Sequence, residues 1–149
     1  MLYRKGQLSD IPAMIEIGRG FWHQTSYHKA GMEYSEDRCE NIAKTCIETG
    51  ITIVAETDGY IHGMMLCLVH PGIFTDDLMC SDIAFYVSPE GRKKGVGRTL
   101  LTLLKSIADL KGCKAIAMIS LQSVTPDKSQ ALFESEGYHH AESTYLLVS

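Results

Sequence analysis

Between Val87 and Leu101 the chain reads Val-Ser-Pro-Glu-Gly-Arg-Lys-Lys-Gly-Val-Gly-Arg-Thr-Leu-Leu, with three glycines set among four cations, Arg92, Lys93, Lys94 and Arg98. An apolar run, Ile83-Ala84-Phe85-Tyr86-Val87, precedes it and reads as a buried strand. Beyond it, Val96, Leu100, Leu103, Leu104, Ile107 and Ala108 recur at helical spacing. A glycine-rich loop that opens a helix presents unpaired backbone N–H groups at the positive end of the helix dipole. Small residues let a ligand approach the main chain, so the chemistry offered here is phosphate binding. Spacing separates the kinds of phosphate loop. A nucleotide P-loop needs G-x-x-x-x-G-K-[ST], whereas Gly91 and Gly97 are six apart and Arg98-Thr99 follows. A dinucleotide loop needs G-x-G-x-x-G, and Leu100 stands at its third glycine. The pattern that fits is R-x-x-G-x-G, Arg92-Lys93-Lys94-Gly95-Val96-Gly97.

The elements around the loop follow from periodicity and turn chemistry. Leu2 to Arg4 is a short strand; Ser9 is an N-cap, with Asp10 and Pro12 in the first turn of a helix carrying Ile11, Met14, Ile15, Gly18, Phe21 and Trp22 on one face. Ser35 caps a second helix that Gly50 ends. Strands at Ile51–Glu56 and Tyr60–Val69 join at Asp58-Gly59, a hairpin signal, and Pro71-Gly72 turns the next loop. The strand Met79–Val87 leads into the phosphate loop and a helix that Gly112 stops; Ala115–Ile119 is a buried strand, Thr125-Pro126 opens a helix ended by Gly137, and Thr144–Val148 is a last strand. The order is β-α-α-β-β-β-α-β-α-β in a single domain, residues 1–149.

Together with Val87, Pro89, Leu100 and Leu101, the Arg92–Gly97 pattern resembles the acetyl-CoA loop of the GNAT acetyltransferase superfamily. The element order is similar to the GNAT fold over essentially the whole chain, and Leu8-Ser9-Asp10-Ile11-Pro12-Ala13-Met14 resembles that family's first helix. The resemblance implies an α/β (α+β) fold with a central mixed, mostly antiparallel β-sheet flanked by helices. In such a fold the sheet splays after its fourth strand, so the pantetheine arm can lie along that edge like an added strand. It also implies acetyl-CoA as cosubstrate. Phe85, Tyr86 and Val87 would meet the pantetheine, while Arg92, Lys93, Lys94, Gly95, Val96, Gly97, Arg98 and Thr99 would surround the pyrophosphate.

In the family reaction an acceptor amine attacks the thioester carbon directly. An amine of lysine type, with pKa about 10.4, must shed a proton on the way. Asp82, five residues before Val87, is the candidate base, and strict alternation puts it on one face with Ala84 and Tyr86. His70 and His23 are alternatives. The N–H of Val87 is the expected oxyanion donor. Many relatives place a tyrosine in a Y-x-x-x-G-[FY] segment against the CoA sulfur; here the segment is Phe133-Glu134-Ser135-Glu136-Gly137-Tyr138, and Phe133 has no proton to give. Pro126 falls near the position of that helix's usual asparagine. Water, Ser129 or Tyr86 would have to protonate the thiolate, with Tyr138 read as core. Phe21, Trp22, Tyr27, His28, Tyr34 and Phe74 could line an acceptor pocket, or be core in the case of Phe21 and Trp22, and Asp76 and Asp77 could draw in a cation.

Composition bounds the partners. A net charge of −4 disfavours a general nucleic-acid surface, and against it the basic loop favours a local anionic ligand. Five widely spaced cysteines without a C-x-x-C pair read as reduced thiols of a cytoplasmic protein and carry no metal-site spacing, so no metal is expected. No apolar run is long enough for a membrane span. The expected function is an acetyl-CoA-dependent N-acetyltransferase acting on a small-molecule or protein amine, possible as a homodimer like many relatives. The alternatives are a CoA-binding sensor or interaction module without catalysis, and transfer of a longer acyl group.

Overall fold

The computed structural model describes residues 1–121 and 126–149. Asp58 and Gly59 both take positive φ, 49° and 80°, the geometry whose twist suits a two-residue hairpin. They join β2 (Ile51–Thr57) to β3 (Tyr60–Pro71), and β4 (Leu78–Val87) returns beside β3. With β1 (Leu2–Lys5) and β5 (Ala115–Ala117) these form one sheet in the order β1-β2-β3-β4-β5. Every pair is antiparallel except β4 and β5, which run parallel.

Helices cover both faces, which is why β2 and β3 read as continuous apolar runs instead of alternating ones. α1 (Ile11–Trp22) and α3 (Glu36–Glu48) bury Ile11, Met14, Ala43, Cys46 and Ile47 against Val54, Ile61, Met64 and Leu66. On the other face α5 (Val96–Leu110) buries Val96, Leu100, Leu101, Leu104 and Ala108 against Ile53, Met65, Cys67 and Cys80, and Phe133 of α6 (Pro126–Ser135) joins them. Two short helices, α2 (Ser26–Lys29) and α4 (Pro89–Lys93), add to the expected order. No helix among the described residues is long and apolar enough to cross a membrane.

The structure corrects three expectations. Asp10, the last residue of a 3-10 turn at Leu8–Asp10, stands at the N-cap position of α1 in place of Ser9 without a side-chain cap bond to that helix; its carboxylate instead accepts the Gln7 N–H at 2.7 Å. Residues 144–148 form no strand; Tyr145 and Leu147 are almost fully exposed, because β-propensity without a pairing edge does not make a strand. β5 stops at Ala117, since the Ile119 N–H turns to a side chain in β4 instead of the ladder. Thr125, read as part of the helix start, lies outside the described residues; the helix is described over Pro126–Ser135.

Candidate active site

β4 and β5 pair only from Met79 to Ser81. Beyond that point, residues 82–87 of β4 have no strand on this side among the described residues, so the sheet opens where the fold was expected to splay. The backbone direction along that edge follows from one bond. Ser88 N–H donates to the His62 carbonyl of β3 at 2.7 Å, and antiparallel ladders alternate, so Val87 and Phe85 turn their N–H and C=O groups to the open side while Tyr86 faces β3. Of the three residues expected along the cofactor arm, Phe85 and Val87 therefore offer main-chain groups there. Arg92 Nε reaches the same side and donates to the Val87 carbonyl at 3.2 Å.

The loop that follows is held by backbone geometry. Gly95 is the N-cap of α5 at φ 70°, a left-handed conformation that favours glycine, and a side chain there would meet only open space. The first intrahelical bond of α5 is Thr99 N–H to the Gly95 carbonyl, at 3.2 Å. The amides of Val96, Gly97 and Arg98 precede it and are the free donors of the helix start. A Cβ on Gly97 would stand 3.3 Å from the Leu132 side chain and 3.5 Å from Phe85, so α5 sits close against α6 and β4. Val96 points into the core. The four cations divide: Arg98 binds Glu136 at 2.7 Å and Lys94 binds Glu90 at 3.2 Å, while Arg92 and Lys93 have no carboxylate partner among the described residues.

Asp82 does not share a face with Ala84 and Tyr86. The register jumps between Leu66, opposite Ala84, and Cys67, opposite Asp82, so Ile83 is an extra residue in β4. The bulge turns Asp82 to the α5 side with Cys67, Cys80 and Phe85, whereas Ala84 and Tyr86 face α1 and α3. Asp82 is 5 % exposed; Oδ2 accepts the Ile119 N–H at 3.2 Å and Oδ1 has no partner among the described residues. Burial pushes its carboxyl up to about 7, against the smaller opposing pull of the Ile119 bond.

The other candidates lie elsewhere. His70 bonds through Nδ1 to the Pro71 carbonyl at 2.8 Å and through Nε2 to Ser81 Oγ at 2.7 Å, so both nitrogens are engaged. His23 Nδ1 lies 3.4 Å from His28 Nε2 at the rim of a cavity of about 340 Å³ that Arg19, Trp22, Glu33 and Tyr34 also line. Trp22 stacks on Tyr27 with centroids 6.3 Å apart, and the Arg19 guanidinium stands 5.0 Å over the Tyr34 ring. Phe21 and Trp22 are half-buried and outside both core clusters, and Phe74 is 99 % exposed at the β3–β4 turn with Asp76 and Asp77, away from this cluster. Phe133 is buried, 6.1 Å from the Phe85 ring, and Tyr138 packs 5.8 Å from it. Burial pushes the Tyr138 hydroxyl up to about 12. Ser88 and His62 also belong to the site. Ser before Pro is a cap signal that could have been found; His62 in an apolar strand has no local signal.

An open edge in β4, a glycine-opened helix below it and a buried carboxylate beside it now have a family to be set against. A profile described as Acetyltransferase (GNAT) family matches residues 15–138. The chain belongs to this family. It is accordingly an acyltransferase, and GNAT enzymes use acetyl-CoA and act on amine acceptors. Among curated proteins none matches the sequence. Solved structures share the fold at low identity. A ribosomal-protein-alanine N-acetyltransferase from Brucella melitensis biovar Abortus 2308 is 17 % identical, with TM-score 0.70 and 99 % of each chain covered. An aminoglycoside acetyltransferase from an uncultured soil metagenomic sample is 14 % identical, with TM-score 0.71, covering 98 % of this chain and 96 % of that one. A predicted acetyltransferase with acetyl-CoA from Clostridium acetobutylicum is 14 % identical, with TM-score 0.74, covering 98 % and 94 %.

Proposed function

We propose that this GNAT protein moves the acetyl group of acetyl-CoA to a primary amine by direct attack on the thioester. The observation that carries the reading is the open edge of β4 ending at a helix whose first amides are free. The pyrophosphate would sit on the Val96, Gly97 and Arg98 amides, with Arg92 and Lys93 as the cations near it. The pantetheine arm would run along Phe85 and Val87. The amine nitrogen forms a bond to the carbonyl carbon, the Val87 N–H stabilises the oxyanion, and the carbon–sulfur bond then breaks. Asp82 takes the proton that the attacking nitrogen sheds, directly or through water; a carboxylate held at about 7 is matched to that task near neutral pH. The thiolate takes its proton from water, because Phe133 stands in the tyrosine position.

Phe133 also supports a second reading, in which the protein binds CoA as a sensor or interaction module without turnover. Thiol release from acetyl-CoA in the presence of a panel of small amines and peptides separates the two. Acetyl transfer predicts release that depends on one amine class. Release at background with every amine, while CoA binds, sinks the enzymatic reading.

A further inference from the structure

We propose that His62 is a positioning residue for the cofactor loop and acts through Ser88. This rests on the reading that the loop holds CoA. His62 lies in β3 and is 6 % exposed; Ser88, just past β4, is 2 % exposed. Besides the Ser88 N–H bond to the His62 carbonyl, His62 Nδ1 lies 3.2 Å from Ser88 Oγ. The same Oγ accepts the Gly91 N–H at 3.0 Å, which is the N-cap bond of α4. Donor accounting gives the direction of the chain. The buried hydroxyl already accepts from Gly91, so its own hydrogen needs an acceptor, and the lone pair of a neutral imidazole at Nδ1 supplies it. Nε2 then carries the ring proton.

The result is a relay, Gly91 N–H to Ser88 O–H to His62 Nδ1, anchored near the start of β3, where His62 is the extra residue of a bulge against β2. It fixes the first turn of α4, and α4 carries Arg92 and leads through Lys94 into Gly95, where the free amides begin. There is no slack at its centre: a Cβ on Gly91 would stand 2.8 Å from the His62 carbonyl oxygen. The other groups facing the imidazole are Glu90, with Oε2 3.9 Å from Nδ1, and the Tyr60 ring, with its centroid 4.7 Å away. Ser88 is the closer polar partner. An apolar residue at 62 would leave the Ser88 hydroxyl buried without an acceptor, and the cap would loosen to find one.

CoA titrations of the full-length protein test the relay, using wild type, His62→Leu, His62→Asn, Ser88→Ala and the double variant His62→Leu/Ser88→Ala. An asparagine amide oxygen falls near the position of Nδ1 and can accept the same hydrogen. His62→Leu and Ser88→Ala should each weaken CoA about tenfold, the scale of one lost helix cap. The double variant should be no weaker than either single one, because both break the same relay. His62→Asn should recover affinity to within about threefold of wild type, a rescue that a purely packing role would not give. Unchanged affinity in His62→Leu, full additivity in the double variant, or His62→Asn as weak as His62→Leu overturns the proposal. If His62→Leu does not fold, Ser88→Ala decides alone, and wild-type affinity in it overturns the proposal. Failure of the wild type itself to bind CoA at millimolar concentration overturns instead the reading on which this one rests.

Discussion

The loop that opens α5 and the cavity beside α2 are both polar sites at the ends of helices, yet they are built from different material. The loop is mostly main chain: a left-handed glycine, three amides ahead of the first helical bond, and a serine cap buried against β3. Its shape depends on neighbours a few residues apart and on one histidine across the strand. The cavity is mostly side chain. Trp22, His23, His28 and Tyr34 line it from the end of α1, α2 and the segment before α3, with Tyr27 stacked on Trp22, and the two histidines are exposed. A main-chain site recognises what every reaction of a family shares, whereas a side-chain site can differ from one chain to the next. Asp82 stands between the two in character. It is a side chain, but a backbone bulge decides which face it serves.

The contrast predicts where substitutions act. Gly95→Glu should abolish CoA binding: the new side chain enters open space, so the fold keeps its packing, while positive φ and a carboxylate oppose the bound phosphate. A titration checks it, and retained affinity would mean that the phosphates lie elsewhere. Asp82→Asn should lower kcat by about 100-fold or more with CoA affinity unchanged, and should remove the rise of wild-type rate through about pH 7. A matching loss of CoA affinity would instead make Asp82 part of the cofactor site.

Arg92→Ala should weaken CoA about tenfold at low salt and less at high salt. Arg98→Ala should cost less affinity, since Glu136 already holds that guanidinium. Equal effects would erase the distinction between the two arginines.

The same carboxyl affects stability. Asp82 titrates at 3.8 when unperturbed and at about 7 in the fold, so between those values the folded protein keeps a proton that the unfolded chain has released. Stability attributable to this group falls as pH rises through that window. Asp82→Asn should therefore melt above wild type at about pH 8, with the gap closing toward about pH 4. Melting curves across that range read it directly. The smallest effect belongs to Phe133→Tyr, which should raise kcat by about threefold or less, because a thiolate leaves readily without an acid.

The glycine loop and the turns around it were legible because their signals are local. R-x-x-G-x-G, Asp58-Gly59 and the glycine stops at Gly112 and Gly137 each specify backbone conformation by themselves, and those three glycines take the positive φ that their turns need. Asp82 was legible as a residue and misplaced as a side chain. Alternation assumes an unbroken ladder, and the extra residue at Ile83 appears only when β4 meets β3. His70 and Ser81, or His62 and Ser88, are 11 and 26 residues apart and pair only in the folded sheet. The segment at 144–148 has strand composition and no partner, a reminder that strands are made by edges as much as by residues.

If the glycine loop and the open edge of β4 hold CoA, the melting temperature of the wild-type protein must differ with and without CoA. A ligand that binds only the folded state must stabilise it, so CoA at a hundredfold excess over its dissociation constant should raise the melting temperature by about 5 °C or more. Gly95→Glu should show no shift under the same conditions. An unshifted melting temperature in wild type at millimolar CoA would mean that the loop and the β4 edge do not hold CoA.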